Sequence, residues 1–173
     1  DWRAQWGQGD FPFLFVQLAR FQSPKTGTAP GPERWARVRE AQRLALSVPN
    51  TGMAVALDLG ASHEIHPTNK EEVGRRLALA ARKLVHGEDL VFSGPMVQSV
   101  EVRDSKIAVR FSHTGSGLIL GAPRFSQPDA IPEAKQKLLR FEVAGSDAKW
   151  SSAEARIEGD SVIVCSESVP APQ

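Results

Sequence analysis

The sequence predicts an α/β fold, in which residues 1–91 form the C-terminal part of a three-layer α/β/α domain and residues 92–173 form an antiparallel, sandwich-like β-rich region. Two patterns support this division. Before residue 92, apolar runs typical of buried strands alternate with segments of helical periodicity, the order that produces a parallel sheet covered by helices. After residue 92, apolar and polar residues alternate one by one, which is typical of antiparallel strands.

The first strand and helix are predicted between residues 11 and 48. The run FPFLFVQLA at 11–19 indicates a strand covered on both faces, and the stretch 21–32, rich in Pro, Gly and Thr, indicates a loop. Residues 33–48 show helical periodicity, and Pro32 suits the first turn because the N–H that it lacks has no partner there. The buried stripe of this helix is predicted to comprise Trp35, Val38, Gln42 and Ala45.

A second strand and helix follow the break PNTG. Residues 53–59, MAVALDL, indicate another buried strand, and a helix follows the loop GASHEIHP. Thr68 and Glu71 have the spacing of a capping box. The charged stretch NKEEVGRR at the start of this helix is typical of a solvated face. The buried stripe of the helix is predicted to comprise Val73, Leu77, Ala80 and Leu84.

The β-rich half contains two predicted hairpins. The run VQSVEVRDSKIAVRF alternates around a turn at Asp104 and Ser105, and the run EARIEGDSVIVCS turns at Gly159 and Asp160. The stretch LRFEVAG alternates in the same way. Cys165, the one cysteine of the chain, lies in an apolar strand, so we expect a buried structural thiol and no internal disulfide.

Composition argues against several classes of protein. The formal net charge of +1 and the mixing of basic with acidic residues argue against a nucleic-acid-binding protein, which needs clustered and uncompensated Lys and Arg. No apolar run reaches the length of a membrane span. The sequence indicates no cofactor, and it leaves the oligomeric state open.

His66 is the strongest candidate for a catalytic residue. It follows a predicted parallel strand and precedes a helix, and chemistry in open α/β sheets gathers at the carboxyl ends of strands. Glu64, two residues earlier, and Asp58, at the end of the strand, are both candidates to orient the imidazole ring and stabilise its charged form. The alternative is a surface histidine that caps or packs, and the residue pattern alone slightly favours that alternative.

Other residues give weaker signals for chemistry. His63 and His66 lie three residues apart beside Glu64, but no further ligand signal accompanies them, so no metal is predicted. Ser116 lacks the strand-to-helix turn of a nucleophile elbow. Ser161 follows Gly-Asp, but it lies in a predicted hairpin turn. The residues therefore offer a general base without a suitable serine.

Three long stretches of the chain resemble sialate O-acetylesterases, a family built on an SGNH-type hydrolase domain. They are DWRAQWGQGDFPFLFVQLARF, ERWARVREAQRLALSVPNTGMAVALDLG and EIHPTNKEEVGRRLALAARKLVHGE. The second contains the run Trp-x-x-x-Arg-x-Ala-Gln from Trp35, and the third contains Ile-His-Pro-x-Asn-Lys-x-x-Val-Gly-x-Arg-Leu-Ala from Ile65. The later stretches FEVAG, ARIEGDSVIV and SESVP resemble the β-rich tail that follows the esterase core. The resemblance thus spans nearly the whole chain.

The resemblance implies a Ser-His esterase that removes acetyl groups from hydroxyls of sialic acids or related glycans, in a secreted or periplasmic protein. It implies that His66 deprotonates a serine and then protonates the leaving alcohol. The family often has Asp at the position of Glu64, and the wider superfamily has an acid at the position of His63. Glu64 and Asp58 therefore stay alternatives for the third member of a triad.

We also expect the chain to be a fragment of such an enzyme. It begins at Asp1 without Met and ends directly after a strand-like run, and the serine block and the Gly and Asn that donate to the oxyanion in the family are absent. The isolated chain is therefore expected to be inactive. The alternative, from another class, is a non-catalytic carbohydrate-binding or assembly module in which the β-rich tail docks on a partner.

Overall fold

The chain divides into two compact units, residues 1–93 and residues 94–173, in a computed structural model. The structure describes residues 2–21, 32–61, 64, 66–120 and 137–173, without the side chains of Pro32 and Glu33. Most of the predicted loop 21–32 therefore lies outside the described residues. Within the described part of the chain, no helix is long and apolar enough to cross a membrane.

The first unit alternates helices and strands. Its elements are α1 (Trp2–Trp6), β1 (Phe13–Val16), α2 (Pro32–Leu44), β2 (Thr51–Ala54) and α3 (Lys70–Leu84). β1 and β2 pair in parallel, with Phe13 opposite Thr51 and Val16 opposite Ala54. The predicted order of strand, helix, strand and helix, with parallel strands, is therefore confirmed.

Both strands are shorter than the apolar runs that predicted them. The prediction of a strand over 53–59 is wrong beyond Ala54, because residues 57–59 form a 3₁₀ turn in which the Leu59 N–H donates to the Ala56 carbonyl at 3.1 Å. Beyond Ala54, the Val55 carbonyl accepts a hydrogen bond from Arg76 at 2.7 Å. β1 is only half-buried, so the residues that the structure describes do not cover both of its faces.

Helix α2 begins at Pro32, as predicted, and ends at Leu44. Its predicted buried stripe is only partly confirmed. Trp35 is half-buried and packs edge-on against Phe21, with 5.6 Å between the ring centroids, but Val38 is 48% exposed. Gln42 is half-buried and Ala45 is exposed. The periodicity correctly indicates an apolar face of α2, but the described residues of the first unit do not cover all of that face.

Helix α3 begins one residue later than the predicted capping box implies. The cap is Asn69, whose Oδ1 accepts from the Glu72 N–H at 3.0 Å, so the pairing of Thr68 with Glu71 is wrong. The Thr68 carbonyl instead accepts from the Lys70 N–H at 2.9 Å. The predicted stripe is confirmed, since Ala80 is buried and the other three members are half-buried, namely Val73, Leu77 and Leu84.

The segments that follow β1 and β2 approach each other closely at the carboxyl end of the sheet. Ala19, Ala56 and Leu59 form a small buried cluster there. Gly60 lies against the backbone of Arg20 so tightly that an added Cβ would come within 2.3 Å of the Arg20 carbonyl oxygen. This contact fixes the backbone from which the next loop, the one containing His66, departs.

We therefore expect Gly60→Ala to lower the free energy of unfolding by about 1–3 kcal/mol, because a methyl group there displaces backbone rather than a flexible side chain. Gly74→Ala is the matched control. Gly74 lies within α3, and no atom lies within 4 Å of the position that a Cβ would take there, so alanine should raise stability by up to about 1 kcal/mol. Urea unfolding followed by circular dichroism measures both. A Gly60→Ala chain as stable as the wild type would contradict the close approach.

The second unit is an antiparallel sheet that curls. Its strands run in the order β3-β4-β7-β6-β5, with bounds β3 (Met96–Arg103), β4 (Lys106–Ser112), β5 (Phe141–Val143), β6 (Ser151–Glu158) and β7 (Ser161–Cys165). The core comprises Val143, Val162, Val164 and Val169. The predicted antiparallel region is therefore confirmed, although the described strands form one sheet rather than a sandwich of two.

Both predicted hairpin turns are confirmed. Asp104 has a φ of 53° and Gly159 a φ of 63°, the left-handed conformation that such tight turns require. Cys165 is half-buried rather than buried. It is the last residue of β7 and lies opposite Lys106 and Glu154, at the end of the apolar ladder, which explains its partial exposure.

Candidate active site

His66 lies in the segment that joins β2 to α3. It follows the carboxyl end of a parallel strand and comes three residues before Asn69, the cap of α3. Its side chain is 81% exposed, so the ring is accessible to a ligand or to another part of a protein. Such a place at the carboxyl ends of strands, beside a helix N-terminus, is where ligands bind in open α/β sheets.

Glu64 contacts the ring of His66 directly. Its Oε1 lies 3.0 Å from His66 Nδ1 and also accepts the His66 backbone N–H at 2.8 Å. A bridge between Ala61 and Glu64 holds the backbone of this segment. When Nδ1 carries the proton and donates it to Glu64, Nε2 is left with a lone pair that can accept a proton. This is the arrangement by which a carboxylate orients a histidine base in a triad.

Asp58 forms an ion pair with Arg76 rather than with His66. The Nη1 and Nη2 groups of the Arg76 guanidinium donate to Asp58 Oδ1 and Oδ2, each at 2.7 Å. These hydrogen bonds hold the pKa of Asp58 below its usual value. Of the two acids that the sequence offered as partners for His66, the structure therefore brings Glu64 to the ring and leaves Asp58 in an ion pair.

Arg76 also reaches the first turn of α3. Its Nε donates to Glu72 Oε1 at 2.8 Å, and Arg75 bonds both carboxylate oxygens of Glu72 at 2.7 Å. The pKa of Glu72 falls to about 2, because the hydrogen bonds from Arg75 and then Arg76 outweigh the burial that raises it. The pKa of Arg76 is raised, chiefly by its hydrogen bonds with Asp58. This network stays ionised at neutral pH.

The sequence pattern does not predict this network. The stretch NKEEVGRR is typical of a solvated face, but Glu72 is buried at 7% exposure and the Arg76 side chain is 22% exposed. A signal was present, since Glu72 and Arg76 have the i, i+4 spacing of a helical ion pair. The Asp58 partner lies 18 residues away and has no such local signal.

The sequence also singled out Ser161 and His63. Ser161 begins β7 in the second unit, where its Oγ donates to Asp160 Oδ1 at 3.1 Å. His63 lies outside the described residues. Across the part of the chain that the structure describes, no group of three or more His, Cys, Asp or Glu side chains could hold a metal ion.

An open apolar groove of about 730 Å³ lies on the α2 side of the first unit. It borders the first residues of β1 and β2, whereas His66 follows the carboxyl end of β2. Trp2, on its rim, is 62% exposed, and Val38 is 48% exposed. The side chains that give it its apolar character include Trp2, Phe13, Phe15, Val38 and Val48.

The edge of β1 that faces away from β2 is only partly occupied by the residues that the structure describes. The N–H groups of Phe13 and Gln17 donate towards β2, at 2.8 and 2.9 Å, so those of the intervening even-numbered residues point to the opposite edge. At the carboxyl end of that edge the Gln42 side chain accepts from the Leu18 N–H at 2.9 Å and donates to the Val16 carbonyl at 3.2 Å. The amide of Gln42 thus takes the place of a neighbouring strand there.

Comparison with known proteins gives consistent relatives. No protein-family model matches the chain. The sialate O-acetylesterase of Mus musculus is 37% identical over 116 residues, which are 59% of this chain and 21% of the mouse protein. The sialate O-acetylesterase of Homo sapiens is 36% identical over 116 residues and matches over 22% of its own length. The chain thus aligns with about a fifth of the length of these curated relatives.

A solved structure matches almost the whole chain. The crystal structure of a carbohydrate acetylesterase from Xanthomonas citri superposes with a TM-score of 0.82 at 40% sequence identity. The match covers 99% of this chain and 37% of that protein. The chain therefore carries a sialate O-acetylesterase-like region, and the resemblance noted in its motifs is confirmed.

Proposed function

We propose that the chain is part of a longer carbohydrate O-acetylesterase, secreted or periplasmic, which hydrolyses O-acetyl esters on sialic acid or related glycans. The observation that carries this proposal is the pair formed by His66 and Glu64 at the carboxyl end of β2. It occurs in a chain of which 99% aligns with a carbohydrate acetylesterase. Neither the pair nor the likeness alone would name a reaction, but together they favour acyl transfer.

In the proposed reaction, His66 acts as a general base for a serine supplied by another part of the longer protein. Nε2 takes the serine hydroxyl proton while the oxygen attacks the acetyl carbonyl, and the same proton then passes to the departing sugar oxygen. Water next attacks the acetyl-enzyme, giving its proton to His66, and the serine regains it as acetate leaves. Glu64 orients the ring and stabilises its charged form in both steps.

We further propose that the first unit belongs to a three-layer α/β/α SGNH-type domain completed by the rest of the polypeptide. Two features of the unit support this. Parallel strands are normally covered on both faces, yet β1 is half-buried and the groove beside α2 is open. The outer edge of β1 has positions that a further strand could pair with, beyond those that Gln42 occupies. The relatives are long enough to supply that strand, since this chain aligns with only 37% of the solved structure.

The test compares this chain with the full-length esterase. The longer protein should release acetate from an O-acetylated sialic acid or an acetylated xylan oligosaccharide with saturation kinetics. The isolated chain should hydrolyse an aryl acetate no faster than background, because a general base without a nucleophile and oxyanion donors lacks most of the machinery. Saturable hydrolysis by the isolated chain that is lost on Ser161→Ala would overturn the proposal of a serine from outside.

A further inference from the structure

We propose that Arg76 is a positioning residue that holds the His66–Glu64 pair in place by tying together the two ends of the segment 55–69. This inference rests on the proposed function, because it assigns Arg76 a role in the reaction of His66. Arg76 itself does not touch the ring. It acts through the backbone and through the carboxylates that anchor the segment on either side of His66.

At the first end of the segment, Arg76 binds the residues that leave β2. Its Nη1 donates both to the Val55 carbonyl and to Asp58 Oδ1, and its Nη2 donates to Asp58 Oδ2, all at 2.7 Å. These contacts turn the chain out of the strand and into the 3₁₀ turn at Leu57–Leu59. The Arg76 guanidinium thus fixes the start of the segment, and the contact of Gly60 with Arg20 fixes the backbone that follows.

At the second end, Arg76 binds the turn at which the chain re-enters regular structure. Its Nε donates to Glu72 Oε1 at 2.8 Å, and the Glu72 N–H is the one that the Asn69 side chain caps. His66 lies three residues before this cap. Both anchors of the segment thus converge on the same side chain, and four hydrogen bonds of Arg76 hold them.

The chemistry of the anchor requires arginine. A planar guanidinium can bind a carboxylate with two parallel N–H groups and present a third donor to a second carboxylate, whereas the ammonium of lysine is a point charge. The site is also partly shielded from solvent, with the Arg76 side chain 22% exposed and that of Glu72 9% exposed. Shielding strengthens such hydrogen bonds relative to those of an exposed pair.

Arg75 provides a matched control. It is the neighbouring residue on the same helix and binds the same carboxylate, that of Glu72, at 2.7 Å. Its side chain is 56% exposed. Its side-chain hydrogen bonds go to Glu72, whereas the hydrogen bonds to Val55 and Asp58 come from Arg76. Substitution of Arg75 therefore removes one ion pair from the first turn of α3 and leaves the other end of the segment anchored.

The experiment measures kcat and KM for a small aryl acetate in variants of the full-length esterase. Arg76→Gln is expected to lower kcat by about 10–100-fold with little change in KM, because displacement of the base by even about 1 Å is costly for catalysis. Arg76→Lys should restore only part of the loss, and Arg75→Gln should leave kcat near the wild-type value. Equal losses in Arg75→Gln and Arg76→Gln, or a wild-type kcat in folded Arg76→Gln, would overturn the proposal.

A second measurement uses the present chain and does not depend on activity. Nuclear Overhauser contacts between the His66 ring and residue 64 should weaken in Arg76→Gln and persist in Arg75→Gln. If the full-length protein hydrolyses no acetylated substrate, the proposed function fails, while these contacts still decide whether Arg76 positions the pair. If Arg76→Gln does not fold, the same contacts in Arg76→Lys decide, and contacts of wild-type strength there would refute the role.

Discussion

His66→Ala in the full-length esterase is expected to lower kcat by about three orders of magnitude or more, since removal of one member of a serine triad disables the whole unit. The substitution removes the imidazole ring that we propose accepts the serine proton. This ring lies near the carboxyl end of β2. The ring is exposed and contacts Glu64, so its loss should not disturb the core. Steady-state kinetics on an aryl acetate measures the effect.

His86→Ala serves as the control for this substitution. His86 is exposed and follows the last turn of α3, so it shares the chemistry of His66 without its position. It should keep a kcat close to that of the wild type, and His63→Ala should also cost far less than His66→Ala. If His66→Ala keeps a normal kcat while circular dichroism shows an intact fold, His66 is not the general base.

The parts of the fold that the sequence predicted well are those determined by neighbours along the chain. The hairpin turn at Asp104 was predictable because a turn residue sits between two alternating runs, and the turn at Gly159 for the same reason. Helix α2 begins at Pro32 because proline has no N–H to leave unsatisfied in a first turn. In each case the local chemistry was sufficient.

The errors occurred where distant residues decide the conformation. Residues 55–59 are as apolar as a strand, but residues 57–59 form a 3₁₀ turn, and Arg76, 21 residues after Val55, binds both Val55 and Asp58. The cap of α3 is a local exception, since Thr68 and Asn69 are both residues that can cap and the Asn69 side chain is the one that accepts the Glu72 N–H. For residues 55–59, no local window of sequence contains the Arg76 that binds them.

Burial was mispredicted for a different reason. Helical periodicity correctly placed Val38 on an apolar face of α2, but periodicity cannot tell whether an element is present to cover that face. The candidate site shows the same division. Loop position made His66 a candidate and spacing made Glu64 one, whereas the contact of Glu64 with Nδ1 and the pairing of Asp58 with Arg76 could be known only from the structure.

Glu64→Gln in the full-length esterase is expected to lower kcat by about 100-fold or more, because an amide no longer stabilises the charged ring or enforces its tautomer. The variant should lose little stability, since an exposed ion pair contributes about 0–1 kcal/mol. Asp58→Asn should show the opposite balance, with the larger effect on stability and the smaller effect on kcat. It weakens the anchoring of Arg76 and lowers the free energy of unfolding, but it should reduce kcat less than Glu64→Gln does.

This opposite balance distinguishes a residue that orients the base from one that holds the segment. Glu64 touches Nδ1 at 3.0 Å and lies at the surface, so its effect should be on the chemical step. Asp58 bonds the guanidinium of Arg76 through both oxygens, so its effect should be on the structure. Kinetics and urea unfolding of the two variants, measured side by side, separate the cases. A larger loss of kcat in Asp58→Asn than in Glu64→Gln, at unchanged stability, would transfer the orienting role to Asp58.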